Sequence, residues 1–183
     1  HAAALSRPMS IHEKNISRSI DTNILGTLNL VKICKKYNIK IIYFSSNYVY
    51  PAKPGFYRED NPVLPRNNYA WSKLGGEAAV HMYKNSLILR ICMTEKPFIH
   101  KSAFVNMITN FMFHDDLAKN LIKLIKFKGV INVGGISQSV YKFAKKNNPK
   151  IKKSFVKKSQ IKLFPLSSSM NVSKFNKILK KNL

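Results

Sequence analysis

An apolar run that ends in hydroxyl residues is the feature that most constrains the fold of this chain. Residues 41–44 read Ile-Ile-Tyr-Phe and lead directly into Ser45 and Ser46, and residues 51–66 then carry four prolines and one glycine. A short apolar run bounded by turn residues is typical of a strand buried in a parallel sheet. The sequence therefore predicts a buried strand followed by a loop.

After the loop, the helix predicted over about residues 67–83 carries a tyrosine and a lysine four positions apart. Tyr69 and Lys73 share one face of this helix, because residues four apart are neighbours on successive turns. An ammonium close to a phenol favours the phenolate and lowers the phenol pKa from about 10. We expect Tyr69 to act as general acid or base, Lys73 to tune it, and Ser46 to hydrogen-bond the substrate oxygen. A Tyr-x-x-x-Lys pair also arises by chance in Lys-rich helices. The pair indicates a catalytic site here because it follows a strand that ends in two serines.

These residues resemble the active site of the extended short-chain dehydrogenases/reductases. That family contains NAD(P)-dependent nucleotide-sugar epimerases, dehydratases and reductases. Ser46, three residues before Val49, stands where the family has its catalytic Ser or Thr, and Tyr69 and Lys73 match its Tyr-x-x-x-Lys pair. The resemblance implies that Ser46, Tyr69 and Lys73 are the catalytic residues.

The Ser-Ser-Asn-Tyr-Val-Tyr sequence over residues 45–50 is most similar to the dTDP-4-dehydrorhamnose reductases of that family. Asn47 and Tyr48 stand where the family's 4,6-dehydratases have Asp-Glu, so dehydration is not expected. The resemblance implies reduction of a nucleotide-linked 4-keto-6-deoxysugar, with Ser46, Asn47 and Arg90 as the substrate-binding residues. For Arg90, near the end of the strand predicted over 86–92, a structural role is the other interpretation.

A cofactor is implied by two further segments. His1-Ala2-Ala3-Ala4 resembles the family's His-x-Ala-Ala, which passes along the cofactor, and residues 23–27 match its Asn-x-x-Gly-Thr pattern. In the family this asparagine supports a water near the catalytic lysine, although Asn23 fits equally well as a polar residue at a helical kink. The resemblance implies NAD or NADP, with seven contacting residues: His1, Ala3, Ala4, Asn23, Ser45, Tyr69 and Lys73.

The glycine-rich turn that normally holds a dinucleotide is not found in the chain. No Gly-x-Gly-x-x-Gly occurs in it, nor an acidic residue about 20 positions beyond such a turn. The sequence resembles the carboxyl-terminal part of a family member, and we expect weak cofactor binding, or none, from this chain alone. The predicted fold class is α/β, a partial doubly wound (Rossmann-type) parallel sheet that lacks its first strands.

Two parts are expected within that fold. Residues 1–95 are predicted to form the carboxyl-terminal half of the NAD(P)-binding domain with the catalytic residues. Residues 96–183 are predicted to complete the sheet and to form a small, reduced substrate-binding part. Only 23 residues separate Arg90 from His114, fewer than full-length relatives usually have there.

Helices and strands are predicted from the periodicity of the apolar residues. A helix over about 11–37 is expected to bury Ile16, Ile20, Ile24, Leu28 and Val31, and the Tyr69 helix to bury Ala70, Leu74, Ala78 and Met82. Strands are expected over 39–44, 86–92 and 130–133, and further helices up to 127, over 137–146 and after 173. Asp115 or Asp116 is expected to cap the helix that ends at 127, and Glu77 to pair with Lys73.

The net charge of +24 invites a different interpretation, since basic proteins often bind nucleic acid. Here the positive residues are mostly lysines spread along the chain among many Asn and Ile residues, a composition typical of an AT-rich genome. Nucleic acid is therefore not an expected partner, and the positive surface is expected to attract an anionic nucleotide-sugar. Cys34 and Cys92 show no metal or redox spacing, so no metal site is predicted.

No apolar stretch approaches the roughly 20 residues needed to span a bilayer, so we expect a cytoplasmic protein without a membrane partner. A homodimer is allowed by the resemblance. Two alternatives to the reductase remain open: a nucleotide-sugar epimerase of the same family, and a non-catalytic regulatory or binding member of the fold.

Overall fold

The computed structural model describes residues 1–180, and its central element is a parallel sheet. The strands are β1 (Ile41–Ser46), β2 (Ser86–Ile91), β3 (Met93–Thr94), β4 (Ser102–Phe104), β5 (Ile108–Thr109), β6 (Met112–Phe113), β7 (Gly129–Val133), β8 (Gln138–Ser139) and β9 (Lys152–Ser154). Within the described residues, β1, β2 and β7 form a three-stranded sheet in that order, with both pairs parallel. This arrangement confirms the predicted α/β class.

Helices connect these strands. They are α1 (Ile11–Lys14), α2 (Ile16–Ser19), a π-helix (Ile20–Leu25), α3 (Gly26–Lys36), α4 (Asn68–His81), α5 (His114–Leu124), α6 (Val140–Asn147) and α7 (Ser173–Lys180), with 3-10 turns at Asn47–Val49 and Lys158–Gln160. No helix within residues 1–180 combines the length and the apolar character needed to cross a membrane.

The register of the sheet brings the carboxyl ends of its strands together. Ser46 pairs with Ile91, which pairs in turn with Val133, while Ser45 lies beside Arg90. Beyond this edge, β3 pairs with β6, β4 with β9, and β5 with β8. The short strand pairs therefore fold back over the edge at which β1 ends.

Buried apolar side chains lie on both faces of the sheet and under the short strands. One cluster joins β2 and β7 to α5 and α7 and includes Leu87, Leu89 and Ile131. A second cluster, around Phe113 and Phe143, holds α6 against the short strands. A third cluster, with Val31, Tyr43, Val80 and Ile88, packs α3 and α4 against β1 and β2. The helix that carries Tyr69 and Lys73 is thus fixed to the sheet by core packing, and burial of one leucine or phenylalanine side chain stabilises the fold by about 2 kcal/mol.

The single helix predicted over 11–37 is wrong. The chain forms α1 and α2 with Asn15 between them, then the π-helix, and only then the regular α3. Asn15 caps α2 by accepting a hydrogen bond from the backbone N–H of Arg18 at 3.0 Å. Helix caps and π-turns do not change the spacing of the apolar residues, so the periodicity of those residues did not reveal them.

The prediction of which face of this segment is buried is also partly wrong. Ile16 is 53% exposed and Ile20 is 41% exposed. The residues that the structure buries lie at the neighbouring four-residue spacing, namely Ser19, Asn23, Thr27 and Val31. The stripe expected on α4 fails at Ala78, which is exposed, and at Met82, which follows the helix and is 87% exposed. The face that the structure buries carries Lys73, Gly76, Glu77 and Val80 instead.

Other boundaries moved by one or a few residues. Strand β1 begins at Ile41 rather than 39, and α6 begins at Val140, where Ser139 accepts a hydrogen bond from the Lys142 N–H at 3.1 Å. The expected capping role of Asp115 or Asp116 is wrong. Phe113 occupies the N-cap position without a side-chain hydrogen bond, and both aspartates lie in the first turn of α5. Their charges are favourable there because they face the positive end of the helix dipole.

Candidate active site

A cavity of about 1210 Å³ opens at the carboxyl ends of β1 and β2. Ser46, Tyr69 and Lys73 all line it, together with Ser45 and Asn47. Pockets for one drug-sized ligand usually occupy about 300–1000 Å³, so this cavity has room for more than one small molecule. The structure thus brings the three predicted catalytic residues to one open space.

Ser46 is held at the point where β1 turns into the first 3-10 helix. Its hydroxyl oxygen accepts a hydrogen bond from the Tyr48 N–H at 3.2 Å, which caps that short turn. The same side chain lies near the Tyr69 phenol and partly offsets the rise in its pKa that burial causes. The serine is therefore oriented by the backbone on one side and faces the tyrosine at the cavity wall on the other.

Tyr69 lies in the first turn of α4, and that turn is fixed by the residue before it. Asn67 accepts a hydrogen bond from the Ala70 N–H at 2.8 Å, and its amide group donates to the carbonyl oxygens of Lys162 and Leu163. The Tyr69 ring packs edge-on against His12, with 5.2 Å between ring centroids. Cap and ring contacts together hold the phenol at the cavity wall.

The pKa of Tyr69 moves in the direction opposite to the one expected. Burial raises the phenol pKa above its usual 10, while Ser46 and the positive charge of Arg7 oppose that shift. Tyr69 is consequently protonated at neutral pH, the state that a proton donor requires.

Lys73 is buried and its ammonium group lies over an aromatic ring. Its Nζ lies 4.3 Å from the centroid of the Tyr43 ring, a cation–π contact. Burial lowers the pKa of Lys73 from 10.5 to about 8, with Glu77 opposing the shift through its charge. The lysine therefore keeps most of its charge at neutral pH but loses it more readily than an exposed lysine.

The expected pairing of Glu77 with Lys73 is wrong. Glu77 Oε1 accepts a hydrogen bond from Arg90 Nη2 at 2.7 Å, and both side chains are buried. Arg90 also donates to the phenol oxygen of Tyr50 at 2.7 Å. The i,i+4 spacing describes contacts within one helix only. The neighbouring strand β2 brings the Arg90 guanidinium to Glu77, and a guanidinium binds a carboxylate at two points, which the Lys73 ammonium cannot do.

Arg90 does not line the cavity. Its guanidinium is occupied by Glu77, by Tyr50 and by the carbonyl oxygen of Glu59, to which it donates at 3.1 Å. These contacts favour the structural interpretation of Arg90 over the substrate-binding one. The Ser45 hydroxyl, also assigned to the site, donates to the Glu77 carboxylate, so it links this buried pair to the cavity wall.

Asn47 lines the cavity and is tightly bonded. Its amide group donates to the hydroxyl of Thr109 at 3.1 Å and to that of Ser168 at 2.8 Å. The Thr109 hydroxyl also lies 2.9 Å from the sulfur of Cys92. Asn47 therefore ties the end of β1 to β5 and to the chain near residue 168, and a substrate contact remains a prediction for it.

The first residues of the chain run beside the edge of β1. The backbone N–H of Phe44 donates to the carbonyl oxygen of His1 at 3.2 Å, and the His1 ring lies against Tyr43. Ala2 and Ala4 line the cavity, whereas His1 and Ala3 do not. Of the predicted cofactor contacts in this segment, the structure therefore places Ala4 at the cavity, which Ala2, a residue outside the prediction, also lines.

Asn23 holds the end of that segment in place. Its side-chain oxygen accepts from the Leu5 N–H at 2.8 Å, and its amide group donates to the Leu5 carbonyl at 2.9 Å and to the Ser72 hydroxyl at 2.8 Å. The side chain thus ties residues 1–5 to α4. The implied support of a water near Lys73 remains a prediction.

Sequence reasoning missed several residues that line the cavity. Arg7 and Glu95 lie on it and form an ion pair with each other, and further lining residues are Tyr48, Cys92, His100, Lys101 and His114. No motif marks them, although an arginine three positions after the His-x-Ala-Ala segment was a usable signal in a chain whose positive residues are mostly lysines. Over residues 1–180, no group of three or more His, Cys, Asp or Glu side chains is placed to hold a metal ion.

A parallel sheet with a serine at the end of one strand, beside a Tyr-x-x-x-Lys pair on the next helix, is the arrangement of the extended short-chain dehydrogenase/reductase fold. The chain belongs to the RmlD substrate binding domain family, which matches residues 1–119.

Relatives with known names cover parts of the chain. Methionine adenosyltransferase 2 subunit beta from Xenopus tropicalis is 35% identical over 92 residues, or 50% of this chain and 27% of that protein. UDP-glucuronate 4-epimerase from Thermodesulfobacterium geofontis is 26% identical over 144 residues, or 63% of this chain and 45% of that protein. The chain thus matches less than half the length of either relative.

Solved structures resemble the chain over nearly its full length. A hypothetical dTDP-4-dehydrorhamnose reductase from Sulfolobus tokodaii matches with a TM-score of 0.84 and 23% identity, covering 97% of this chain and 71% of that one. A dTDP-4-dehydrorhamnose reductase from Bacillus anthracis, solved in complex with NADP, matches with a TM-score of 0.82 and 22% identity, covering 96% and 72%. At these identities the likeness establishes the fold.

Proposed function

We propose that this chain carries the catalytic residues of an NAD(P)-dependent reductase that acts on a nucleotide-linked 4-keto-6-deoxysugar. The observation that carries the proposal is that Ser46, Tyr69 and Lys73 all line one large cavity at the end of β1. A carbonyl oxygen placed within reach of both hydroxyls has a proton donor and a second hydrogen-bond donor. Both interactions strengthen as negative charge develops on that oxygen.

The protonation state of Tyr69 favours reduction. The raised pKa keeps the phenol protonated at neutral pH, so it can give its proton to an oxygen that becomes an alcohol. Ser46 orients that oxygen, because its own hydroxyl is already fixed by the Tyr48 N–H. The charge of Lys73, buried behind the tyrosine on the same helix face, stabilises the phenolate that remains after transfer.

NAD or NADP, when bound, supplies the hydride that reduction requires. We assign its binding to Ala2, Ala4, Ser45, Tyr69 and Lys73, because these residues line the cavity. The assignment is supported by two features: alanine side chains leave space beside the sheet edge, and the cavity has room for a second ligand beside a sugar. His1 contacts Tyr43 and Asn23 is bonded to Leu5, but neither these two residues nor Ala3 line the cavity.

A non-catalytic binding subunit is the second candidate. It is favoured by the 35% identity with a protein named as the beta subunit of a methionine adenosyltransferase. The retained Ser46, Tyr69 and Lys73 favour the enzyme. An epimerase would use the same three residues to take a proton from an alcohol and return it.

We include a homodimer in the proposal. Exposed apolar side chains lie on the packed pair formed by α4 and the segment before α3: Ile16, Ile20, Trp71 and Met82. In a chain with a net charge of +24, a surface carrying such side chains is where two copies repel least. Sedimentation of the wild type beside Met82→Lys tests this, with a monomeric wild type as the contrary result.

The enzymatic proposal is tested by mixing the protein with NADH or NADPH and a dTDP- or UDP-linked 4-keto-6-deoxysugar. A reductase consumes one reduced cofactor for each alcohol formed. An epimerase interconverts the two C4 alcohols of a nucleotide sugar without net consumption of cofactor. Binding of nucleotide sugar without either reaction favours the binding subunit.

A further inference from the structure

Two arginine–glutamate pairs occur in the part of the chain that the structure describes, and they differ in burial. Arg90 and Glu77 are 7% and 6% exposed, whereas Arg7 and Glu95 are 50% and 30% exposed. The buried pair is also bonded to Tyr50, Ser45 and the Glu59 carbonyl. The exposed pair has one additional contact, the Thr94 hydroxyl donating to Glu95 at 3.2 Å.

The exposed pair lies at the cavity that holds Tyr69. Arg7 and Glu95 both line this cavity, although 88 positions separate them in sequence. Arg7 follows the segment beside β1, and Glu95 follows β3, so the ion pair connects two separate walls. The charge of Arg7 also acts on the Tyr69 phenol, which places the guanidinium close to the proposed chemistry.

The pair has the geometry of a carboxylate bound by an arginine fork. Arg7 Nη1 donates to Glu95 Oε1, and Nη2 donates to Oε2 at 3.1 Å. This two-point contact is the way in which arginine binds any planar carboxylate, and it suits phosphate oxygens as well. Glu95 thus occupies the position that an anionic group of a ligand would take.

The remaining charges on the cavity wall favour an anion. Among the lining residues within 1–180, Glu95 is the sole carboxylate, whereas Arg7, Lys73 and Lys101 are cations. An ion pair exposed to water adds little stability, because solvent screens it and ordering two long side chains costs entropy. Replacement of Glu95 by a ligand anion is therefore inexpensive, and the Thr94 hydroxyl can still hold the displaced carboxylate.

From this arrangement we propose that Arg7 determines specificity for an anionic group of the substrate, with Glu95 occupying the guanidinium until that group arrives. The inference rests on the proposed function, since it assigns a ligand group to the same cavity. The ligand chemistry is a phosphate or a carboxylate. Its two sources are the diphosphate of a nucleotide sugar and a carboxylate on the sugar itself.

The test measures calorimetric binding of inorganic pyrophosphate, UDP, UDP-glucose and UDP-glucuronate to the purified full chain. Arg7→Gln is expected to weaken binding about 10- to 100-fold, because it removes a charged two-point hydrogen bond. Glu95→Gln keeps the shape of the side chain and removes the competing charge, so it is expected to tighten binding roughly threefold. Circular dichroism of each variant confirms that it is folded.

Matched controls come from a third pair, Arg58 with Asp60, whose side chains are each 68% exposed and do not line the cavity. Arg58→Gln and Asp60→Asn change the net charge of the chain by the same amounts as the two test variants. Both are expected to leave the four affinities unchanged.

The source of the anion follows from the pattern for Arg7→Gln. Equal loss for UDP, UDP-glucose and UDP-glucuronate assigns Arg7 to the diphosphate, and loss for UDP-glucuronate alone assigns it to the sugar carboxylate. The inference is overturned if Arg7→Gln and Glu95→Gln behave like their controls. If the wild type binds none of the three nucleotides, the proposed function fails, and pyrophosphate binding by the same variants still decides the role of Arg7.

Discussion

The ammonium nitrogen of Lys73 lies 4.3 Å from the centroid of the Tyr43 ring, and the carboxylate one helical turn away, Glu77, is paired with Arg90 instead. The lysine is thus held in the interior by an aromatic face without a carboxylate hydrogen-bonded to it in compensation. A buried cation of this kind costs folding free energy, and the cost is tolerable if the charge serves the chemistry at Tyr69.

Replacement of Lys73 by methionine is expected to stabilise the fold at neutral pH while removing activity. The Lys73 pKa lies at about 8 in the folded chain and 10.5 in the unfolded one. The unfolded chain therefore binds more protons between these values, and wild-type stability rises with pH across that window. Denaturant unfolding at about pH 7 should show a gain of up to about 3 kcal/mol for Lys73→Met, which vanishes above about pH 10.5.

The control for this prediction is Lys32→Met, which removes an exposed lysine from α3 and should change stability little. A Lys73→Met protein that is less stable than wild type at neutral pH would mean that the cation–π contact outweighs the cost of burial.

We expect activity to fall at alkaline pH because Lys73, rather than Tyr69, loses its proton. Burial raises the Tyr69 pKa, so the phenol stays protonated where Lys73 has already lost its charge at about 8. The value of kcat/KM for reduction should fall as pH rises through about 8, because kcat/KM reports the free enzyme. In Lys73→Arg, which keeps its charge, any remaining activity should show this limb at higher pH; an unmoved limb argues against Lys73.

Breaking the buried Arg90–Glu77 pair is expected to destabilise the fold strongly. Arg90→Met leaves Glu77 as an uncompensated buried charge, which costs about 3–5 kcal/mol. The double variant Arg90→Met with Glu77→Leu should recover most of that loss, since buried pairs are often replaceable by apolar residues. Urea unfolding of the single and double variants measures this, and a loss below about 1 kcal/mol for Arg90→Met would contradict a structural role.

Gly76 is expected to tolerate no side chain, whereas its neighbour Gly75 should. A Cβ at Gly76 would lie 2.6 Å from the Asn23 carbonyl oxygen and 2.5 Å from the Tyr43 phenol oxygen. Because one of these atoms belongs to backbone, α4 must move, and Gly76→Ala should cost about 1–3 kcal/mol.

Gly75→Ala is the matched control for that prediction. A Cβ at Gly75 would meet only the Ile24 side chain, at 2.8 Å, and that side chain can rotate away. The gain in helix propensity of up to about 1 kcal/mol should then roughly offset the strain. Thermal unfolding of the two variants side by side checks the difference, and equal stabilities would count against the close contact of α4 with the π-helix.

The parallel strands were predictable because a strand buried on both faces is a continuous apolar run, as in residues 41–44 and 87–89. The meeting of Ser46, Tyr69 and Lys73 followed from one strand end and one helical spacing. The strand end and the helical spacing each involve residues close together in sequence, and for that reason one sequence alone is enough to predict them.

The parts that the sequence did not predict depend on contacts between distant residues. The buried Ser19, Asn23 and Thr27 look like a solvent-facing stripe until His12, Leu5 and His1 supply their hydrogen bonds. Glu77 looks like a partner for Lys73 until β2 brings Arg90 beneath α4. Arg7 and Glu95 share no local pattern at all, because the fold alone places them on one cavity.

The most direct test of the central claim is the rate of reduced-cofactor consumption by Tyr69→Phe beside wild type, with a nucleotide-linked 4-keto-6-deoxysugar as substrate. The control is Tyr37→Phe, a tyrosine that is 62% exposed and does not line the cavity. If Tyr69 donates the proton, Tyr69→Phe should lower kcat by about 10²- to 10⁴-fold with nucleotide-sugar binding retained, and the control should match wild type. Equal rates for Tyr69→Phe and wild type, or no turnover by a wild type that binds both the sugar and the reduced cofactor, would contradict the account.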